Sequence, residues 1–124
     1  MSTVQTPISD MLVTVKAREV QRGMLAEMGG EQARATRHFL AAAHLELVLA
    51  NDYAQAGQDA MAFRSRLSAA SCFWRAGQVE QARGLFEALV QDYPAHAAAI
   101  QGVLAELGQD YPKLAAQGGR QGPS

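Results

Sequence analysis

The 124-residue chain has a single cysteine, Cys72, so no disulfide can close within it, and a lone thiol suits a reducing compartment. Aromatic residues make up only 6% of it, which disfavours a β-sheet, since sheets draw on aromatic and β-branched side chains. Neither sign of charge dominates. Eleven Lys and Arg stand against twelve Asp and Glu, a net charge of −1, so there is no basic excess to attract nucleic acid. No apolar run is long enough to span a bilayer. The most apolar one, Phe39 to Ala50, also contains His44 and Glu46. The opening MSTVQTPISD has no basic stretch ahead of an apolar run, so no secretory signal is expected. These absences predict a soluble, cytoplasmic protein with no nucleic-acid partner and no membrane insertion.

The chemistry of common sites is missing too. His38, His44 and His96 show no metal-ligand spacing. His38 and His44 are six residues apart, on opposite sides of any helix, and no Glu-x-x-His pair occurs. Cys72 lies among apolar neighbours and reads as a buried structural thiol. The glycines fall at helix ends or near the C-terminus, not in a phosphate-binding loop. Acids pair with bases at helical spacing, as Glu80 does with Arg83, which reads as a solvated face. No metal, cofactor or catalytic residue is expected, and the chain does not read as an enzyme.

Helical periodicity is abundant. Alanine is the commonest residue, and small side chains at that density suit close helix packing. Thr6-Pro7 reads as a helix start, Thr6 capping it, and Gly29-Gly30 as its end. Ile8, Met11, Leu12, Val15, Met24, Leu25 and Met28 are the apolar residues between. Residues 1–30 thus form an N-terminal amphipathic helix that could dock on the body, pair with a second copy or stay partly mobile. Glu31 to about Ala54 reads as a long helix packed by Phe39, Leu40, Ala43, Leu47, Val48 and Ala50, with Arg34, Arg37 and Glu46 in water. Gln58 to Ala76 is apolar on more than one face, as a central helix is. Its stripe Ala60, Phe63, Leu67, Ala70 and Trp74 answers Val79, Ala82, Phe86, Leu89 and Tyr93 on the next helix. The third helix carries mainly bases and the fourth mainly acids, so the two can exchange surface ion pairs. A fifth helix spans Ala95 to Leu107, with Ile100, Val103, Leu104 and Leu107 inward. Ala56-Gly57-Gln58 recurs as Ala76-Gly77-Gln78, and Gln91-Asp92-Tyr93-Pro94 as Gln109-Asp110-Tyr111-Pro112. All four fall at predicted helix ends. The last segment, 109–124, reads as a flexible tail.

Gly77, Ala82, Phe86 and Pro94 give the segment AGQVEQARGLFEALVQDYP a likeness to the tetratricopeptide repeat (TPR). That family places a small residue, an aromatic and a proline at these spacings after a glycine turn. Ala70 and Phe73 take small and large core positions on the preceding helix. The likeness covers about one repeat. It implies an all-α fold of antiparallel helical hairpins over residues 31–108, either a right-handed superhelix or a small bundle of about five helices. It also implies a non-catalytic protein-interaction module, an adaptor or chaperone that holds a partner segment in a groove. The small TPR-type chaperones of bacterial secretion systems are similar in size and helical content.

In TPR proteins the first helix of each hairpin lines the groove. On the corresponding helix here Arg64, Ser68, Ser71 and Arg75 recur at spacings of four, three and four and share one face. They are the candidate partner-binding residues, for a protein or peptide. The other reading of the same four is the wet stripe that any amphipathic helix carries. Two alternatives remain for the whole chain: a structural protein that self-assembles as a homodimer through its first helix, or a ligand-binding helical bundle.

Overall fold

Three glycines divide the chain. In the computed structural model, which describes residues 7–111, Gly30, Gly57 and Gly77 have φ of 75°, 77° and 84°. Glycine takes this left-handed conformation at little cost because it has no Cβ. The helix before each glycine closes in the same way. Gly57 donates its N–H to the Ala54 carbonyl (3.1 Å) and Gln58 to that of Tyr53 (2.8 Å). Twenty residues on, Gly77 donates to Trp74 (2.9 Å) and Gln78 to Phe73 (2.9 Å). These bonds satisfy carbonyls that a helix end otherwise leaves unpaired. The Ala-Gly-Gln echo is therefore one capping unit used twice. The second echo behaves likewise: Tyr93 (φ −131°, ψ 65°) and Tyr111 (φ −130°, ψ 65°) leave their helices in the same conformation. Each donates its N–H to a leucine four residues back, Leu89 or Leu107.

The helices are α1 (Pro7–Met28), α2 (Gln32–Gln55), α3 (Asp59–Arg75), α4 (Val79–Asp92) and, after a 3-10 turn at Pro94–His96, α5 (Ala97–Asp110). No strand occurs among the described residues, so the fold is all-α, a small helical bundle. Short turns make successive helices antiparallel neighbours. α1 packs on α2, α2 on α3 and α3 on α4, while α5 touches both α3 and α4. No described helix is long and apolar enough to cross a membrane.

Alanine brings the helices close. Ala42, Ala43, Ala62, Ala69, Ala70 and Ala82 are each 0% exposed, and a methyl side chain lets two helix axes approach. Larger buried side chains fill the remaining space, among them Phe39, Phe73, Trp74, Leu49 and Ile100. Val79, Ala82, Phe86 and Leu89 are buried along α4, as their spacing predicts. At the α1–α2 contact Gly23 lies directly against the Phe39 ring, where a Cβ would sit only 2.9 Å from the ring carbons.

Several expectations need correcting. α1 does pack on the body, but of the seven apolar residues named on it only Leu12 faces inward. Ile8, Met11, Val15, Met24, Leu25 and Met28 are exposed. The helix docks instead through Ser9, Gly23 and Ala26, with Leu12, Val13 and Val20 packed against core clusters. Val48 and Ala60 also face outward. The exchange of ion pairs between α3 and α4 is not seen: no such pair lies within 4.0 Å among the described residues. Arg66 donates to the Tyr93 hydroxyl instead (3.2 Å). Arg83 is turned away from Glu80 and lies over the Trp74 ring, 5.1 Å from its centroid. A guanidinium is weakly hydrated and stacks well on an indole face. α5 runs on to Asp110, and Tyr111 is anchored by its hydroxyl to Glu27 (2.7 Å). Residues 109–111 therefore belong to the body. The rest of the predicted tail and the Thr6 cap lie outside the described residues.

Candidate interaction cleft

α1, α3 and α5 converge on one open cleft of about 590 Å³, to which α2 contributes Glu46 and α4 nothing. α1 brings Lys16, Ala17, Val20 and Gln21. α3 brings Leu67, Ser68, Ser71, Cys72 and Arg75, and α5 brings Val103, Glu106, Leu107 and Asp110. A smaller recess of about 180 Å³ shares Lys16, Glu46 and Ser68 with the cleft and adds Arg64 and Met61. The four candidate residues of α3 are thus ranged along one concavity. Ser68, Ser71 and Arg75 line the main cleft and Arg64 lines the recess.

Their environments differ. Arg64 is exposed and has one polar contact, an Nη1–H directed at the Met61 sulfur at 3.9 Å. Ser71 donates its hydroxyl to the Leu67 carbonyl one turn back (3.1 Å), which leaves its oxygen lone pairs for a ligand. Arg75 is half-buried, with its guanidinium 5.3 Å from the centroid of Phe39 and 6.0 Å from that of Tyr111. It has no ion pair within 4.0 Å among the described residues. Two aromatic rings therefore hold this cation at the cleft wall without neutralising it.

The floor is a buried charge pair. Glu46 was expected in water, yet it is 4% exposed, and its Oε2 lies 3.2 Å from Lys16 Nζ. The physical reason is helical phase. Phe39, Ala42, Ala43, Glu46, Leu49, Ala50 and Tyr53 form the buried stripe of α2, and Glu46 occupies its centre. A carboxylate there needs a counter-charge, and Lys16 of α1 supplies it. Cys72 sits beside this pair. Burial above all, then the Glu46 charge, pushes its thiol up to about 11 against the pull of Arg75 and Lys16. At neutral pH it is a protonated, unreactive group. Burial and the bond to Glu27 likewise push the Tyr111 phenol well above its usual range.

No protein-family model, curated protein or solved structure matches the chain. The cleft must be read from its own chemistry. Sequence reasoning named the α3 wall but missed the α1 wall and the Lys16–Glu46 floor. Phase alone would have flagged Glu46. Its partner, thirty residues earlier on another helix, carries no sequence signal. Among the described residues no group of three or more His, Cys, Asp and Glu is placed to hold a metal ion. His44 packs edge-on against Phe73 (5.3 Å), and His96 stacks on Phe63 (4.8 Å).

Proposed function

We propose that this chain is a non-catalytic interaction module built of TPR-like hairpins, and that it holds an extended segment of a protein partner in the α1–α3–α5 cleft. The observation that carries this reading is the convergence of alternate helices on one cleft whose α3 wall presents Ser68, Ser71 and Arg75, with Arg64 in the recess beside it on the same helix face. Arg64 and Arg75 stand three turns apart, about 16 Å along the helix. Neither guanidinium has a carboxylate within 4.0 Å among the described residues, and the serine hydroxyls between them suit the backbone groups of an extended peptide. The buried acid and thiol of the floor support binding over catalysis. Glu46 is tied to Lys16, and burial keeps Cys72 protonated.

Peptides selected from a random library on the immobilised protein test this reading. Ala17 is exposed on α1 and lines the cleft, so Ala17→Trp plugs the cleft without entering the core. Ala88 is exposed on α4 and lines no part of it. Selected peptides should lose binding to Ala17→Trp and keep it to Ala88→Trp. No enrichment, or binding indifferent to Ala17→Trp, refutes the assignment. Arg75→Gln serves better than charge reversal at that site, because the guanidinium also packs on Phe39.

A further inference from the structure

α1 carries two seams, and only one is in use. The inner seam faces α2. The outer one runs through Ile8, Met11, Val15, Arg18, Arg22 and Leu25, at spacings that alternate three and four. That alternation averages 3.5 residues, the period at which one helix stays in contact with another wound beside it. The body leaves most of the seam open: Ile8 is 68% exposed, Met11 64% and Leu25 65%, while Val15 is partly covered at 37%. Both arginines are exposed as well. Apolar side chains of this size, in register over five turns, mark a docking face. They are separate from the α1 residues that line the cleft, so the argument does not depend on the cleft's function.

The centre of the seam identifies the occupant. Arg18 has no carboxylate within 4.0 Å among the described residues. Arg22 reaches Glu19 (3.2 Å), but that carboxylate also lies 2.7 Å from His38 Nδ1. A second copy does not suit this centre. In parallel pairing Arg18 meets Arg18 and Arg22 meets Arg22. In antiparallel pairing that sets Ile8 on Leu25, Arg18 meets Val15 and Arg22 meets Met11. Either way guanidiniums are desolvated with no acid opposite, which is strongly unfavourable. The complement is a helix with apolar residues at both ends of its seam and carboxylates at the middle. We infer that the outer face of α1 is the docking site for an amphipathic helix of another protein, one whose central seam positions are Asp or Glu facing Arg18 and Arg22.

The test uses the full chain and a synthetic helical peptide of about three heptads. Its seam reads Leu-Leu-Leu-Glu-Glu-Leu for parallel pairing, or the reverse for antiparallel pairing, so that both glutamates face Arg18 and Arg22, and a control peptide has Lys for both Glu. Fluorescence anisotropy should show the Glu peptide binding at least about ten-fold more tightly than the Lys peptide. Arg18→Glu with Arg22→Glu should reverse that order. If that variant melts early, Arg18→Gln alone should weaken the Glu peptide and spare the Lys peptide. Ile8→Asp with Leu25→Asp, both at exposed positions, should abolish binding of either peptide. Equal affinity for the two peptides, binding of neither, or indifference to Ile8→Asp with Leu25→Asp overturns the inference. A dimer of the chain alone in sedimentation that Leu25→Asp dissolves assigns the seam to a second copy. Capture by phosphatidylserine vesicles that Leu25→Asp abolishes assigns it to lipid. Either result also overturns the proposal.

Discussion

The same substitution should have opposite signs at two helical glycines. Glycine in a helix interior costs about 1 kcal/mol relative to alanine, because the unfolded chain gives up more freedom there. Gly84 lies in α4, and a Cβ added to it meets nothing within 4 Å. Gly84→Ala should therefore stabilise by about 1 kcal/mol. Gly23 lies in α1, where the same Cβ would meet three Phe39 ring carbons at 2.9–3.0 Å. The ring has nowhere to go: Phe39 is 0% exposed and the Arg75 guanidinium packs on it. Overpacking of this kind costs about 1–3 kcal/mol. Set against the same 1 kcal/mol propensity gain, Gly23→Ala should be net destabilising, by up to about 2 kcal/mol. For a chain of this size about 1 kcal/mol moves Tm by roughly 3–5 °C. Thermal melts followed by circular dichroism should then place Gly84→Ala a few degrees above wild type and Gly23→Ala below it. If Gly23→Ala melts as high as Gly84→Ala, α1 does not sit on α2 at this register, and the α1 wall of the cleft falls with it.

Two further outcomes follow from the cleft floor. Lys16→Met strands the Glu46 carboxylate and should destabilise by about 1–3 kcal/mol, less than for a fully buried pair because the Lys16 side chain is 24% exposed. Lys16→Met combined with Glu46→Leu should recover most of that loss, and a double variant no better than the single one in urea titration would deny the pairing. Cys72 should resist iodoacetamide at pH 8 in the folded chain and react once urea unfolds it. Its folded pKa is raised to about 11 from 9.0, so the folded state keeps a proton that the unfolded state releases. The thiol's contribution is intact below pH 9 and is lost as pH rises from about 9 to about 11. Cys72→Ser should flatten that part of the stability curve.

Helix ends were legible because each depends on a local rule. A left-handed glycine ends α1, α2 and α3, and Gln-Asp-Tyr ends α4 and α5 with the tyrosine in one conformation. The face of α4 was legible because its apolar residues form a single stripe. α1 was misread because its sequence holds two stripes. The larger side chains suggested the inner face, but the body already has Phe39 and Leu49 at that contact. A helix that meets large neighbours needs small residues to approach them, and Gly23 and Ala26 are what it presents. The charges of α3 were misread for a similar reason. A count of acids and bases says nothing of direction, and Arg75 and Arg83 point at rings rather than carboxylates.

Thin helix contacts have a consequence for the surfaces. Buried alanines of α2 and α3 let those helices approach closely, and Gly23 lets α1 close on the Phe39 ring. Large apolar residues of α1 are then left for the outside, and polar residues of α3 for the cleft. The two faces of α1 also differ in charge. On the cleft side Lys16 is neutralised by Glu46. On the outer side Arg18 has no acid within 4.0 Å among the described residues. The cleft thus sets a balanced floor and the α3 arginine against the Glu106 and Asp110 carboxylates of α5, while the outer seam has a cationic centre between apolar ends. If the cleft holds a peptide as proposed, the two surfaces would select partners on different grounds, backbone shape and hydrogen bonding in the cleft and apolar register with acid placement on the seam. The two surfaces share no residue, and α1 is the wall common to both.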